Sequence, residues 1–180
     1  FVTHAPPVAA DIGGPLPSDP ARSDALAWRS LAALSGHLRA LRAGPRHEAH
    51  LLRHWAQALS LEAAGQHPQG QYPAPLKDAL PALSAGLQAQ ARLVSRHPGE
   101  DGSQRLLVEL ADGQSVESVL LPRQGLCVST QVGCAVGCVF CMTGRSGLLR
   151  QLGSAEIVAQ VVLARRLAPV KKVVFMGMGE

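Results

Sequence analysis

The sequence has no cysteine outside one stretch of fifteen residues, Cys127 to Cys141. That placement excludes a secreted disulfide scaffold, which spreads its cysteines along the chain to close loops. No uncharged apolar run reaches about 18 residues, so a membrane-spanning helix is not expected. The first twenty residues lack a positive n-region and an apolar h-region, and so do not read as a secretory signal. Charged residues make up 17% of the chain and apolar ones 47%, too little charge and too much apolar surface for a disordered protein. An initiator Met is also missing, and the 180 residues stop at Gly-Met-Gly-Glu directly after an apolar run. A piece of a longer chain is expected, of a size for one ordinary domain or one small domain plus part of another.

What is present divides at about residue 100. Residues 1–21 are rich in Pro, Gly and Ala and read as a mobile lead-in. Leu26, Leu34, Leu38 and Leu41 then predict a helix from Arg22 to Ala43, capped by Ser23 or Asp24 and stopped at Gly44-Pro45. Leu51, Leu52, Trp55 and Leu59 predict a second helix from Arg46 to Ala64. A Gly/Pro/Gln linker follows from Gln66 to Pro75, then a shorter helix from Leu76 to Leu83, broken near Pro81. His47, His50 and His54 share a helix face, with no Cys or paired carboxylate nearby in sequence to complete a metal site. They are expected to form a solvated, partly basic face.

From Arg105 the period changes to that of strands. Arg105 to Leu110 and Ser115 to Leu121 predict a hairpin through Ala111-Asp112-Gly113-Gln114, where Asp-Gly is the turn signal. Leu126 to Val132 predicts a third strand leading into the cysteines. Ser154 is expected to cap a helix running to about Leu167, with Glu156 at its positive dipole end. Lys172 to Met176 reads as a buried strand, so strand, cysteine loop, helix and strand make one βαβ unit. Its terminal glycines stand at the carboxyl end of a parallel strand, where α/β folds place ligands.

Cys134-x3-Cys138-x2-Cys141 puts three thiols on a loop short enough to wrap one small object. Crowded thiols suit a metal or cluster site in a reducing compartment, so a cytoplasmic location is expected. Two chemistries compete. Structural zinc needs a fourth ligand, which Cys127 can supply from the preceding strand, although zinc ribbons favour repeated x2 pairs. An iron–sulfur cluster held by three cysteines keeps one iron open for an exogenous ligand.

The segment Cys134-Ala135-Val136-Gly137-Cys138-Val139-Phe140-Cys141 resembles the signature of radical S-adenosylmethionine enzymes, including the aromatic residue before the third cysteine. The flanks narrow the resemblance to the RlmN/Cfr family of RNA methyltransferases: Val116 to Pro122, Gly125 to Gly133, Met142-Thr143-Gly144, the helix start Ser154 to Gln160, and Gly177 to Glu180. The likeness covers about residues 80–180, and residues 1–75 carry no clear family pattern.

With the helical region and hairpin read from the residues, the barrel start that the resemblance implies gives an expected α/β fold: an N-terminal helical region, a β-hairpin, then the first part of a partial (β/α)6 TIM-like barrel. In segments, this gives a lead-in at 1–21, a helical accessory region at 22–98, the hairpin at 99–122 and the barrel start at 123–180. Cys134, Cys138 and Cys141 would bind a [4Fe-4S] cluster, and Gly179 and Glu180 would begin the loop that holds S-adenosylmethionine. Cys127 matches the family cysteine that resolves the protein–RNA adduct by forming a disulfide, and Glu117 matches the carboxylate that accepts a proton. The intact enzyme would methylate adenine C2 in 23S rRNA and tRNA, drawing electrons from a donor such as flavodoxin and acting as a monomer. Cfr-type methylation at C8 is the near alternative, and a zinc-binding RNA module or an inactive truncated gene product the distant ones. The family's methyl-carrying cysteine lies far downstream of the Gly-Met-Gly-Glu motif, so this polypeptide alone is not expected to turn over. The excess of Arg and Lys over residues 123–172, with Glu156 the only acidic residue there, suits an RNA backbone.

Overall fold

The computed structural model describes residues 19–66 and 71–179. The expected lead-in up to residue 18, part of the expected linker, and Glu180 lie outside them.

Among the described residues five α-helices come first: α1 (Pro20–Ala27), α2 (Leu31–Ala40), α3 (Pro45–Ala56), α4 (Leu61–Gln66) and α5 (Ala74–Ala89). The two long helices expected before the linker are each split in two, and a serine marks both breaks. Ser30 Oγ accepts from the Ala33 amide at 3.1 Å and restarts the helix as α2. Ser60 Oγ accepts from the Ala63 amide at 3.2 Å ahead of α4. At the first break, the backbone bonds a continuous helix would have used go elsewhere: the Ala155 amide donates to the Arg29 carbonyl at 2.9 Å, and the Leu31 amide to Ser154 Oγ at 2.9 Å. By contrast, α5 runs straight through Pro81. Pro81 is exposed, while Leu76, Leu80, Leu83 and Leu87 form a buried stripe along the same helix. Burial at about 1.5–3 kcal/mol per leucine outweighs the roughly 3 kcal/mol that an internal proline costs.

Seven strands follow: β1 (Ala91–Pro98), β2 (Gln104–Leu110), β3 (Ser115–Leu121), β4 (Gly125–Cys127), β5 (Gln131–Gly133), β6 (Leu148–Gln151) and β7 (Lys172–Val174). Strand β1 falls at the end of the segment, 22–98, expected as a helical accessory region, beyond the last helix expected there. Among the described residues it is an edge strand paired with β2 alone, interrupted between Leu93 and Ser95 and ended by Pro98, so its alternation is hard to see in the sequence. The β2–β3 hairpin forms as the Asp-Gly signal indicated. The strand expected from Leu126 to Val132 divides into β4 and β5, which belong to different sheets.

The main sheet has the order β1-β2-β3-β4-β7, antiparallel except for the parallel β4–β7 pair. Helix α6 (Ser154–Leu167) makes the crossover between those two strands. Its N-cap is Gly153 rather than Ser154. A Cβ at 153 would sit 2.1 Å from the Arg29 carbonyl oxygen, so only glycine lets the α1–α2 break approach the start of α6. Glu156 Oε2 accepts from the Gly153 amide at 2.8 Å and completes the cap. Leu34, Leu51, Leu76, Leu83, Leu106, Val108, Leu126, Ala155 and Val162 belong to one continuous core that joins the helical region to the sheet and α6.

Candidate functional site

Strand pairing decides which side chains meet. Val119 lies opposite Cys127 and Leu120 opposite Leu126 on the β3–β4 pair. Side chains alternate along a strand, so Glu117, Val119 and Cys127 share one face while Val116, Ser118, Leu120 and Leu126 face α6 and the core. Glu117 is 45% exposed and lies 3.7 Å from the Arg105 guanidinium across the β2–β3 pair. Cys127, at the end of β4, is buried, and burial pushes its thiol above the ordinary range against a backbone hydrogen bond at Met176.

Beyond Cys127 the chain turns through Val128, Ser129 and Thr130 before β5. Ser129 is fully buried, and each of its polar atoms has a partner. Its amide donates to Gln160 Oε1 at 2.9 Å and its carbonyl accepts from Gln160 Nε2 at 3.0 Å. Its hydroxyl donates to the Glu117 carbonyl at 2.6 Å and accepts from the Met178 amide at 2.8 Å. Gln160, equally buried on α6, also accepts from the Ser118 hydroxyl at 2.8 Å.

The terminal glycine segment is tied to the same turn. The Thr130 and Gln131 amides both donate to the Met178 carbonyl, at 2.8 and 3.0 Å, and the Gly177 amide donates to the Val128 carbonyl at 3.0 Å. A Cβ on Gly179, at φ +130°, would come within 2.3 Å of Thr130 Oγ1, and one on Gly177 within 2.6 Å of the Val128 carbonyl oxygen. Glu180, expected beside Gly179, lies outside the described residues.

The three motif thiols sit between β5 and β6. Cys134 is buried directly after β5, Cys138 is exposed and Cys141 is partly exposed. Residues 135–140 are all exposed, with Val139 at 101% and Phe140 at 89%. The loop carries the thiols without gathering them: among the described residues no three His, Cys, Asp or Glu side chains stand close enough to hold one metal ion. The donor set still fits an iron–sulfur cluster, in which each thiolate takes a different iron and the ligands surround the group rather than meet at a point. Hydrogen bonds at the Thr143 side chain and backbone hold the Cys141 thiol below its ordinary value, favouring the thiolate that ligates metal. Cys127 is separated from this loop by the Ser129 turn and β5.

Sequence reasoning missed the support behind the loop. Arg150 on β6 clasps the fully buried Glu156 carboxylate with two bonds of 2.9 and 2.8 Å and reaches Asp112 in the hairpin turn at 2.7 Å. Arg29 joins the same Asp112 at 2.9 Å from the α1–α2 break. Desolvation works against the Arg150 charge, but Glu156 and Asp112 outweigh it and strengthen the hold on its proton. Glu156 was visible only as an acidic residue in a first helical turn; nothing local announced its partners. The cluster also trims the basic surface expected over residues 123–172. Arg150 is neutralised, and Arg165 is bound to the Ala56 and Val170 carbonyls. Arg123, Arg145, Arg166, Lys171 and Lys172 remain exposed. The histidine face needs correction as well. His50 is buried, with its Nδ1 2.8 Å from the Tyr72 hydroxyl, and its ring packs against His54.

The chain is similar to known methyltransferases. The chain is 71% identical over 147 residues to a protein of Azoarcus sp. (strain BH72) named a probable RNA methyltransferase, covering 82% of this chain and 42% of that protein. A protein of the same name in Leptothrix cholodnii is 72% identical over 143 residues, 79% of this chain and 41% of its own length. A solved radical SAM methyltransferase from Sphaerobacter thermophilus superposes with a TM-score of 0.61 at 39% identity, over 84% of this chain and 46% of that one. The relatives are RNA methyltransferases by name, and the structural neighbour is a radical SAM methyltransferase. No protein-family model matches the chain. The chain spans about two fifths of the length of the curated relatives it matches. Among the described residues no helix is long and apolar enough to cross a membrane.

Proposed function

We propose that the intact protein is a radical S-adenosylmethionine RNA methyltransferase of the RlmN/Cfr type, acting on adenine C2 in 23S rRNA and tRNA in the cytoplasm. The observation that carries this reading is the common face of Glu117 and Cys127, set on the strands that lead to a loop with three thiols. A zinc module needs neither the shared face nor a carboxylate on it.

In this reading Cys134, Cys138 and Cys141 hold the [4Fe-4S] cluster, and the backbone of Gly177 to Gly179, continued by Glu180, borders S-adenosylmethionine. When bound, the two together would supply a radical that takes hydrogen from a methyl group held on a cysteine, and the carbon radical left there could add to an adenine ring carbon too weakly nucleophilic for ordinary methyl transfer. Glu117 accepts a proton at its carboxylate, which half-exposure leaves open to substrate. Cys127 keeps its proton while buried and would give it up as its sulfur attacks the sulfur of the methyl-carrying cysteine: the disulfide forms as the bond between that sulfur and the carbon now on adenine breaks, and the electron pair leaves with the RNA product. That second cysteine would belong to the part of the relatives' length this chain does not span. The exposed Arg123, Arg145, Arg166, Lys171 and Lys172 neutralise RNA phosphates. An electron donor such as flavodoxin would serve the cluster, and the enzyme would work as a monomer.

The test is iron, sulfide and zinc content of the full-length protein purified without oxygen, followed by mapping of the methylated carbon in 23S rRNA and tRNA. About four irons per chain, a broad absorption near ~400 nm as iron–sulfur ligation produces, and 2-methyladenine in the RNA are expected. A methyl at C8 would assign Cfr-type specificity instead. Zinc without iron would end the radical reading.

A further inference from the structure

We propose that Ser129 and Gln160 are positioning residues that fix the Gly177–Gly179 segment relative to the strand bearing Glu117, and so set how S-adenosylmethionine is held. The inference rests on the function proposed above and adds two residues to it that touch none of the reacting groups.

Ser129 stands where three pieces of backbone meet. Its hydroxyl bridges the Glu117 carbonyl on β3 and the Met178 amide. The serine itself is held by Gln160, whose amide group pairs with both the N–H and the C=O of Ser129. Gln160 is anchored in turn by α6 and by Ser118. Movement of Ser129 is therefore felt by the glycine segment and by the Glu117 strand together.

Stability alone does not explain this arrangement. A glutamine and two serines buried beside Leu126 and Val128 cost desolvation, which their hydrogen bonds only about repay. Apolar side chains of similar volume would fill the same space with no polar atoms to satisfy. What hydrogen bonds add is direction: each fixes one atom against another at a set distance and angle. The glycines carry the same constraint, because Gly177 and Gly179 leave no room for a Cβ against Val128 and Thr130. The segment is packed backbone to backbone, and the Ser129 hydroxyl is the side-chain bond that sets its register.

The experiment compares Ser129→Ala, Gln160→Met and Ser118→Ala in the full-length, cluster-loaded protein. Ser118→Ala removes a bond to Gln160 but touches neither Ser129 nor the glycine segment, and so reports a purely structural contribution. Ser129→Ala is expected to speed hydrogen exchange at the Met178 amide and to raise the KM for S-adenosylmethionine, each by about tenfold, the effect of one lost buried hydrogen bond. Iron content and kcat stay near wild type. Gln160→Met shifts both quantities in the same direction by less, and Ser118→Ala shifts neither. Wild-type exchange and KM in Ser129→Ala would overturn the inference. Equal loss of stability in all three variants at unchanged KM would overturn it too, leaving a structural network. If the wild-type protein holds no iron and methylates no RNA, the functional reading fails, while exchange at Met178 still decides whether Ser129 fixes the segment.

Discussion

The two sides of the β3–β4 pair treat polar groups in opposite ways. On the helix side polar atoms are buried and partnered: Ser118 and Ser129 both bond Gln160, the Ser129 hydroxyl bonds backbone, and Glu156 is enclosed by Arg150. On the other face Glu117 has one loose contact to Arg105 and Cys127 is buried, while beyond β5, in a separate sheet, the cysteine loop exposes a thiol at Cys138 and apolar side chains at Val139 and Phe140. The helix side spends its polar groups on holding backbone in place. Glu117 and Cys138 are left open to solvent, as the function proposed for them requires.

The widest gap between the sides is expected at the two kinds of cysteine. Cys138→Ala removes a loop thiol and is expected to abolish cluster binding. Cys127→Ala removes a buried strand thiol and is expected to leave the iron content intact while stopping product release. Iron and sulfide analysis of the two full-length variants, purified without oxygen, separates them. Equal loss of iron in both would make Cys127 a ligand and erase the distinction between strand and loop.

Much of this division was visible in the sequence, but only where the signal was local. Asp112-Gly113 announced the hairpin, and the apolar run before Gly177 announced β7, because each depends on a few neighbouring residues; but β7 ends at Val174, and the strand expected to be buried leaves Lys172, Phe175 and Met176 exposed. The breaks at Ser30 and Ser60 were hidden by leucine spacing that continues through them; a serine ahead of a new helical turn was the signal available. The cysteines and Glu117 were legible as residues, while the shared face of Glu117 and Cys127 needed the register of β3 on β4. Gln160 and Arg150 were invisible as network members. Their partners lie on other elements, 31 residues away for Ser129 and 38 for Asp112, and no periodicity encodes such pairs.

On the helix side, Arg150→Met should break the ion cluster. It leaves the Glu156 carboxylate buried with the Gly153 amide and a 3.7 Å contact to Arg29. Loss of one partner from a buried pair typically costs about 3–5 kcal/mol, and the Arg29 contact places this case at the lower end. Chemical denaturation measures it, and replacing Glu156 by Leu in the same chain should recover part of the loss, since no buried charge is then left unpaired.

A smaller effect is expected at Tyr72, the buried partner of His50. Burial pushes its hydroxyl up to about 12 from 10.0. The folded state therefore keeps a proton that the unfolded chain loses, so this contribution to stability is full below about 10 and disappears as pH rises through about 12. Tyr72→Phe should cost about 1 kcal/mol at neutral pH, the net value of one hydrogen bond. It should also flatten the alkaline decline, which unfolding midpoints between pH 9 and 12 will reveal (window from about two units around the tyrosine value). An unchanged alkaline profile would mean that other groups dominate that window.

The smallest effect tests the comparison most directly, because it repeats the Arg150 experiment on the open side. Arg105 and Glu117 also form an ion pair, but their side chains are 57% and 45% exposed and their atoms 3.7 Å apart. Water already solvates both charges, so little desolvation was incurred and little attraction is gained. Arg105→Gln should change stability by less than about 0.5 kcal/mol, with a weak dependence on salt. Methyl transfer should also survive, because Glu117 keeps its place on β3 through backbone pairing with Leu107 rather than through the guanidinium. A loss as large as that of Arg150→Met would mean that the open face is organised like the helix side, and Glu117 would then be a structural carboxylate rather than one held free for a proton.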